Sequence, residues 1–347
     1  MPDAHTWPAI LSRLIDRTDL SQEETAWAMD QIMSDAATPS QIGGFAIGLR
    51  AKGETPAEIS GMASTMLAHA RTLDIDYTAV DIVGTGGDRA GSVNISTMSS
   101  LVVAAAGAPV VKHGSRAASS KAGAADVLET MGVAITMSPE DVLRCVAEVG
   151  IGFCFAPAFH PALKYAGATR RELGVPTTFN MLGPLSNPAQ PSASLIGCAY
   201  RDKTRVLAEV YADRGQDVLL VRGDDGLDEI TTTTTTTAWV ITGGTIREET
   251  IDPQALGLAL TTEAELKGGT PEINARVVHE LVSGKTGPVR DAVLLNAAGA
   301  LTAYHGFTGD LTADLSTHLE RAAEALDSGA TANLLRRWID FSAETTA

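Results

Sequence analysis

From about residue 80 onward, short apolar runs alternate with segments of helix length, and this alternation constrains the fold more than any other feature of the chain. The runs cover residues 80–83, 109–111, 133–136, 152–155, 195–199, 218–221 and 238–241, and helical segments separate the first four. Parallel neighbours cannot be joined by a tight turn and need a crossover, so the pattern predicts βαβ units and a mostly parallel sheet. Ligands of such sheets bind beyond the carboxyl ends of the strands, so the loop after each strand is where chemistry is expected.

Residues 1–70 carry no strand-like runs and read as helices. Ser21 with Glu24, Thr38 with Gln41 and Thr55 with Glu58 have capping-box spacing, and Pro39 and Pro56 add proline at a first helical position. Ser138 with Asp141 is a later relative of the same pattern. Trp7, Ile10, Leu11, Leu14 and Ile15, then Ile59, Met62 and Met66, fall at helical spacing. At roughly 100–200 residues per domain, 347 residues make two domains or one large α/β unit. The unbroken threonines from Thr231 to Thr237 are expected to form a strand entered from a loop.

The formal net charge of −16 disfavours nucleic acid, whose phosphates such a surface repels. A small anion would need a local basic pocket, which makes clustered cations informative. Cys145, Cys154 and Cys198 show no CxxC spacing, so neither a disulfide framework nor a zinc site is expected, and a reduced, cytoplasmic setting fits. The N-terminal stretch lacks the apolar core of a signal peptide. The longest apolar run, about residues 101–111, falls short of the ~18 residues that suggest a spanning helix, so no membrane partner is expected.

Four segments carry candidate chemistry. Gly84-Thr85-Gly86-Gly87-Asp88 leads from a strand toward Asn94-Ile95-Ser96-Thr97 at a helix start. Bare backbone amides and a helix N-terminus suit an anionic oxygen cluster, although the segment matches neither the dinucleotide nor the Walker spacing and also reads as a plain tight turn. Lys112-His113-Gly114-Ser115-Arg116-Ala117-Ala118-Ser119-Ser120-Lys121 gathers three cations and three hydroxyls after a strand. It is either a solvated face or a phosphate grip. Asp224, Asp225, Asp228 and Glu229 share a turn after another strand, where hard oxygen ligands could hold magnesium. Phe155-Ala156-Pro157-Ala158-Phe159-His160-Pro161 leads to Arg170 and Arg171, a candidate carboxylate partner beside an aromatic pocket or a helix-surface cation.

In this order the segments closely resemble the anthranilate phosphoribosyltransferases. The likeness runs through Gly84–Asp88, Asn94-Ile95-Ser96-Thr97, Lys112-His113-Gly114 with Arg116, Ser119-Ser120, Phe159-His160-Pro161, Arg170-Arg171-Glu172, Phe179-Asn180, Gly183 to Pro188, and Gly223 to Glu229. It implies an α/β fold of the nucleoside phosphorylase-like phosphoribosyltransferase kind. A small N-terminal helical domain (residues 1–72, with a return segment at about 163–187) would accompany a large catalytic domain (73–162 and 188–347) with a mostly parallel sheet. It also implies a homodimer paired through the helical domain. The implied reaction moves the phosphoribosyl group of phosphoribosyl pyrophosphate to the amine of anthranilate with two magnesium ions, in tryptophan biosynthesis.

By the same resemblance, Gly84, Thr85, Gly87, Asp88, Asn94, Ser96, Thr97, Lys112, Arg116, Ala118, Ser119, Ser120 and Gly123 would bind the phosphoribosyl donor. Gly84, His113, Ser115, Ala156, Pro157 and Arg170 would line the anthranilate site, with Arg170 on its carboxylate. Ser96, Asp228 and Glu229 would hold magnesium, and no residue is assigned as a general base. Three positions depart from the family pattern: Ser115 replaces the usual Asn, Arg89 stands where Gly is common, and Ala122 where Ser is common. Ser115 leaves a paralogue acting on another aromatic acceptor as the alternative. A pyrimidine nucleoside phosphorylase of related fold would not need the Asp228–Glu229 pair, and the net charge argues against a nucleic-acid binder on the same scaffold.

Overall fold

The computed structural model describes residues 5–117 and 121–346. It opens with four helices: α1 (Trp7–Ile15), α2 (Gln22–Met33), α3 (Pro39–Lys52) and α4 (Pro56–Ala68). Three start with the boxes their sequence spells. The amides of Glu24, Gln41 and Glu58 donate to the hydroxyls of Ser21, Thr38 and Thr55, and the side chains of those three residues accept the cap residues' own N–H groups in return. Then follow β1 (Val80–Gly84), α5 (Ile95–Ala105), β2 (Val110–Gly114), α6 (Ala124–Thr130), α7 (Pro139–Val149) and β3 (Ile151–Phe155). The Ser138 start of α7 is only half a box, because Ser138 Oγ donates its hydrogen to the Asp141 carboxylate at 2.8 Å.

Three helices come next, α8 (Ala156–Phe159), α9 (Lys164–Leu173) and α10 (Phe179–Leu185). The chain continues through β4 (Ala193–Gly197), α11 (Thr204–Asp213), β5 (Asp217–Gly223), β6 (Thr236–Thr242) and β7 (Thr245–Ile251). It ends with α12 (Pro271–Val282), α13 (Pro288–His305), α14 (Leu311–Asp327) and α15 (Ala330–Thr346). Among the described residues the strands form one seven-stranded sheet in the order β3-β2-β1-β4-β5-β6-β7. The first five run parallel, and β6 and β7 are antiparallel. The fold is thus an N-terminal helical bundle with an α/β part built on a mostly parallel sheet, as the alternation of runs predicts.

Two layers cover the sheet. On one face α5, α6, α7 and the last four helices enclose Ile82, Leu195, Leu219 and Val221. On the other, Ile196, Val218, Leu220 and Ile241 pack in a core shared with α11, α9, α10 and the first four helices. Ala166, Phe179, Met181, Leu182 and Leu185 therefore join residues far along the chain to the N-terminal bundle.

Three expectations fail for identifiable reasons. Residues 133–136 are not a strand. Val133 and Ile135 are buried, but the backbone there turns, with Val133 N–H on Leu128 O and Ala134 N–H on Ser342 Oγ. A short apolar run signals burial before it signals conformation. The threonine run is mostly loop, and only Thr236 and Thr237 enter β6. The missed strand β7, TIREETI, is a polar edge whose charges discourage pairing with another chain and hide it from an apolar search.

The chain moves outward from β1 to β2 and β3, then returns to the other side of β1 for β4, so the topological switch lies between β1 and β4. The residues that end these two strands, Gly84 and Gly197, are register partners. Both must be glycine for the same reason. A Cβ on Gly84 would run into the Asp228 carboxylate, and one on Gly197 into the Asp228 backbone carbonyl. Gly197→Ala should therefore push the Asp228 turn off the sheet and cost about 1–3 kcal/mol, as overpacking does. Thermal denaturation tests this, and an unchanged melting temperature would contradict the packing.

Candidate active site

At the switch point, Asp228 Oδ2 accepts the Gly86 N–H at 2.7 Å and Glu229 Oε1 accepts the Ser96 N–H at 2.9 Å. Ser96 lies in the first turn of α5, where amides lack intrahelical partners and the helix dipole is positive. The two acids are half-buried rather than solvent-accessible loop residues. Burial, then the neighbouring Asp88, pushes the Asp228 carboxyl well above the usual range. Burial, then Asp228 and Asp88, does the same to Glu229. Glu229 Oε2 is buried without a hydrogen-bond partner. Crowded carboxylates with unsatisfied oxygens are what a hard cation relieves, so the residues present fit magnesium. Among the described residues no group of three or more His, Cys, Asp or Glu could hold a metal ion by itself. The remaining ligands would be phosphate oxygens and water, the usual company of magnesium.

The other two acids of the turn serve a different purpose. Asp225 accepts the hydroxyls of Thr231 (2.7 Å) and Thr233, and Asp224 those of Thr235 (2.5 Å) and Thr237 (2.9 Å). The odd-numbered threonines thus staple the acidic turn, which is why most of the run leaves the sheet.

The glycine loop is stitched to β4 as well. Thr85 N–H donates to Gly197 O at 3.0 Å, and Thr85 Oγ1 accepts from Ala199 N–H at 3.1 Å. Asp88 Oδ1 accepts the Ala90 N–H. Asn94 bridges Ala122 O and Asn274 rather than capping α5. Thr97 is buried, and its hydroxyl has no hydrogen-bond partner.

The cationic run divides. Lys112 and His113 lie within β2, not after it, and both are buried. Lys112 Nζ donates to Ile82 O and sits near Asp81 and Glu229, so it is not the exposed grip expected of it. Burial lowers its pKa, opposed by those two carboxylates. Asp81 in turn accepts the His113 N–H and Asn187 Nδ2, and burial pushes it up to about 6. Arg116 is exposed but committed to Asp126 and Glu129. Asp126 also accepts the amides of Ala117 and Gly123 at 2.9 Å each. Ala118, Ser119 and Ser120 lie outside the described residues. The side chain of Ser115 is exposed.

A second group of residues lies along α10, which packs on β2 and carries Phe179 beside Arg170 of α9. Half-buried Arg170 lies 5.4 Å over the Phe179 ring, and burial alone lowers its pKa, with no carboxylate beside it. His113 Nδ1 is 3.0 Å from Gly183 O on α10, and its ring lies 5.3 Å from that of His160. Burial, then His160, drives His113 down to about 3, so the ring is neutral with Nε2 buried and unpartnered. Ala156 and exposed Pro157 begin α8 directly after β3.

Residues 8–70 match the helical bundle domain of the glycosyl transferase family, and residues 76–332 match its a/b domain. The chain is 63% identical over 341 residues to the anthranilate phosphoribosyltransferase of Saccharopolyspora erythraea, across 98% of this chain and 97% of that protein. The chain belongs to the anthranilate phosphoribosyltransferase family. The Thermus thermophilus enzyme superposes with a TM-score of 0.89 at 38% identity, covering 96% of this chain and 99% of that one. The Saccharomyces cerevisiae enzyme, solved in complex with PRPP and Mg, gives 0.88 at 25% identity over 97% and 98%.

Several site residues escape a reading of motifs. Asp81, Asn187 and Asp126 act through buried or local contacts that no spacing announces. The threonine ladder did leave a trace, since alternate hydroxyls follow a turn with two extra carboxylates.

The neutral His113 yields a pH prediction. The unfolded chain binds a proton near pH 6.5 and the fold near 3. Stability from this group is therefore complete above the upper value and lost as pH falls toward the lower. By about pH 5 the loss is about 2 kcal/mol. His113→Gln removes it, so denaturant midpoints should fall further on acidification in wild type than in the variant. Parallel curves would show that His113 is not held neutral.

Proposed function

We propose that the chain transfers the phosphoribosyl group of phosphoribosyl pyrophosphate to the amine of anthranilate, releasing pyrophosphate and N-(5-phosphoribosyl)anthranilate in tryptophan biosynthesis. One contrast carries the reading: crowded carboxylates, with Glu229 Oε2 unsatisfied, lie at the glycine loop, while half-buried Arg170 has no carboxylate partner among the described residues. The first suits a metal-bound pyrophosphate, the second a lone carboxylate on an aromatic ring. The 63% identity to an enzyme of that name supports the same substrates.

Asp228 and Glu229 would hold magnesium near Ser96, two ions in all. Magnesium supplies positive charge that offsets the charge developing on the leaving pyrophosphate. The loop from Gly84 to Asp88 and the start of α5, with Asn94 and Ser96, position the pyrophosphate by backbone donors. Arg170 pairs with the anthranilate carboxylate while Phe179, Ala156 and Pro157 hold the ring, so that the amine meets the ribose carbon. The nucleophile is a neutral amine, so orientation supplies more than a strong base would. Lys112 acts from beneath, through Glu229.

The helical part, residues 1–72 with the return segment 163–187, would pair two copies. Exposed Ile15 and Ile47 on that part, and a groove lined by Trp27, Asp30 and His69, favour this surface. A cytoplasmic site of action agrees with three buried, unpaired cysteines. No helix among the described residues is long and apolar enough to cross a membrane.

Loss of anthranilate fluorescence in the presence of phosphoribosyl pyrophosphate and magnesium tests the reaction, and inactivity of the folded protein would refute it. Arg170→Ala should raise the anthranilate constant on the order of ten- to a hundredfold, the equivalent of one charge-assisted hydrogen bond, with little effect on the phosphoribosyl donor. Equal weakening of both substrates would assign Arg170 a structural role.

A further inference from the structure

Arg89 follows the glycine loop with φ of +59°, in the left-handed region that disfavours every side chain. Glycine would sit there without strain, so an arginine in this strained place points to use of its side chain. It is exposed, and it takes part in none of the arginine ion pairs among the described residues.

Tyr200 approaches the same loop from the β4 side. Its hydroxyl occupies the place where a Cβ on Gly87 would stand, and Gly87 has φ of +92°. That hydroxyl is buried and has no hydrogen-bond partner. Arg50 lies 5.8 Å from the ring and helps to hold it. Burial and then Asp228 raise the Tyr200 pKa, so the group remains an O–H donor, and the Arg89 charge acts on it as well.

A strained, unpaired cation and an orphan donor thus flank Gly87 and Asp88. The buried hydroxyl is costly while unpaired, and both groups can donate to an anionic oxygen. We propose that Arg89 and Tyr200 form an anion clamp on the glycine loop that binds the pyrophosphate group of the phosphoribosyl donor. The inference rests on the proposed function and adds two side chains to a loop otherwise credited with backbone contacts.

Arg89→Gly and Tyr200→Phe test it by calorimetry with phosphoribosyl pyrophosphate and magnesium, by steady-state constants for both substrates, and by thermal denaturation. Each variant should weaken the phosphoribosyl donor by roughly three- to tenfold and leave the anthranilate constant unchanged. Arg89→Gly should also flatten the salt dependence of phosphoribosyl pyrophosphate binding. Neither should lower the melting temperature, because one relieves a left-handed side chain and the other removes an unpaired hydroxyl. Constants for the phosphoribosyl donor equal to wild type in both folded variants would overturn the clamp. So would a lower melting temperature with equal weakening of both substrates. Wild type that fails to bind phosphoribosyl pyrophosphate would overturn the proposed function, and the clamp with it.

Discussion

The docking of Asp228 across the ends of β1 and β4 is the contact on which the site depends. Its backbone carbonyl fills the space a side chain would need at position 197, and its carboxylate fills that at position 84. The carboxylate then accepts the Gly86 N–H. One residue therefore sets the acidic turn against the sheet, fixes the glycine loop above it, and brings Glu229 to the first turn of α5. The two glycines are register partners in neighbouring strands, so strand pairing alone aligns the seat. A close-packed seat of this kind moves little, which is how a loop can place a ligand as accurately as a strand.

Beneath the seat runs a line of buried charge, from Asp81 through Lys112 to Glu229. Isolated, any of these would be costly in the interior. Together they are already two acids to one lysine, and Asp228 and Asp88 beside Glu229 add to the excess. Burial first, and then this repulsion, pushes the Asp228 and Glu229 carboxyls upward. If they hold magnesium as proposed, a chain of net charge −16 would meet a polyanion there through a cation rather than through the acids alone.

The mostly parallel sheet, the helical start and the acidic turn were legible because each follows from a local rule: apolar runs between helical segments, hydroxyl caps, carboxylates after a strand. Lys112 and His113 were misplaced because the strand Val110–Gly114 continues into polar residues that only tertiary contacts can bury. The apolar stretch 133–136 and the threonine run show the converse, local strand character overruled by a buried turn and by hydrogen bonds to Asp224 and Asp225. Arg116 was legible as a cation but not as a committed one, because Asp126 and Glu129 become its neighbours only once helix α6 has folded. Arg89 stood out as a departure from the family pattern, yet its meaning depends on a backbone angle that the sequence does not display.

The second cluster differs from the first in holding almost no negative charge. Arg170 lacks a carboxylate, and His113 and His160 each keep one ring nitrogen beside a backbone carbonyl while burial suppresses their protonation. A histidine driven to about 3 is a weak base, so His113 is poorly suited to take a proton from the amine before the bond to ribose forms. Its neutrality is useful in another way. In the proposed reaction a charged imidazole at His113 would be a second cation drawing the acceptor's carboxylate away from Arg170, and would repel the cationic ribose that develops as pyrophosphate departs. The neutral ring leaves Arg170 as the single charged landmark of the cluster, which favours one orientation of a bound carboxylate over its alternatives. In the proposed reaction the glycine-loop half would take up the change in charge, while the Arg170 half would present one cation to the acceptor.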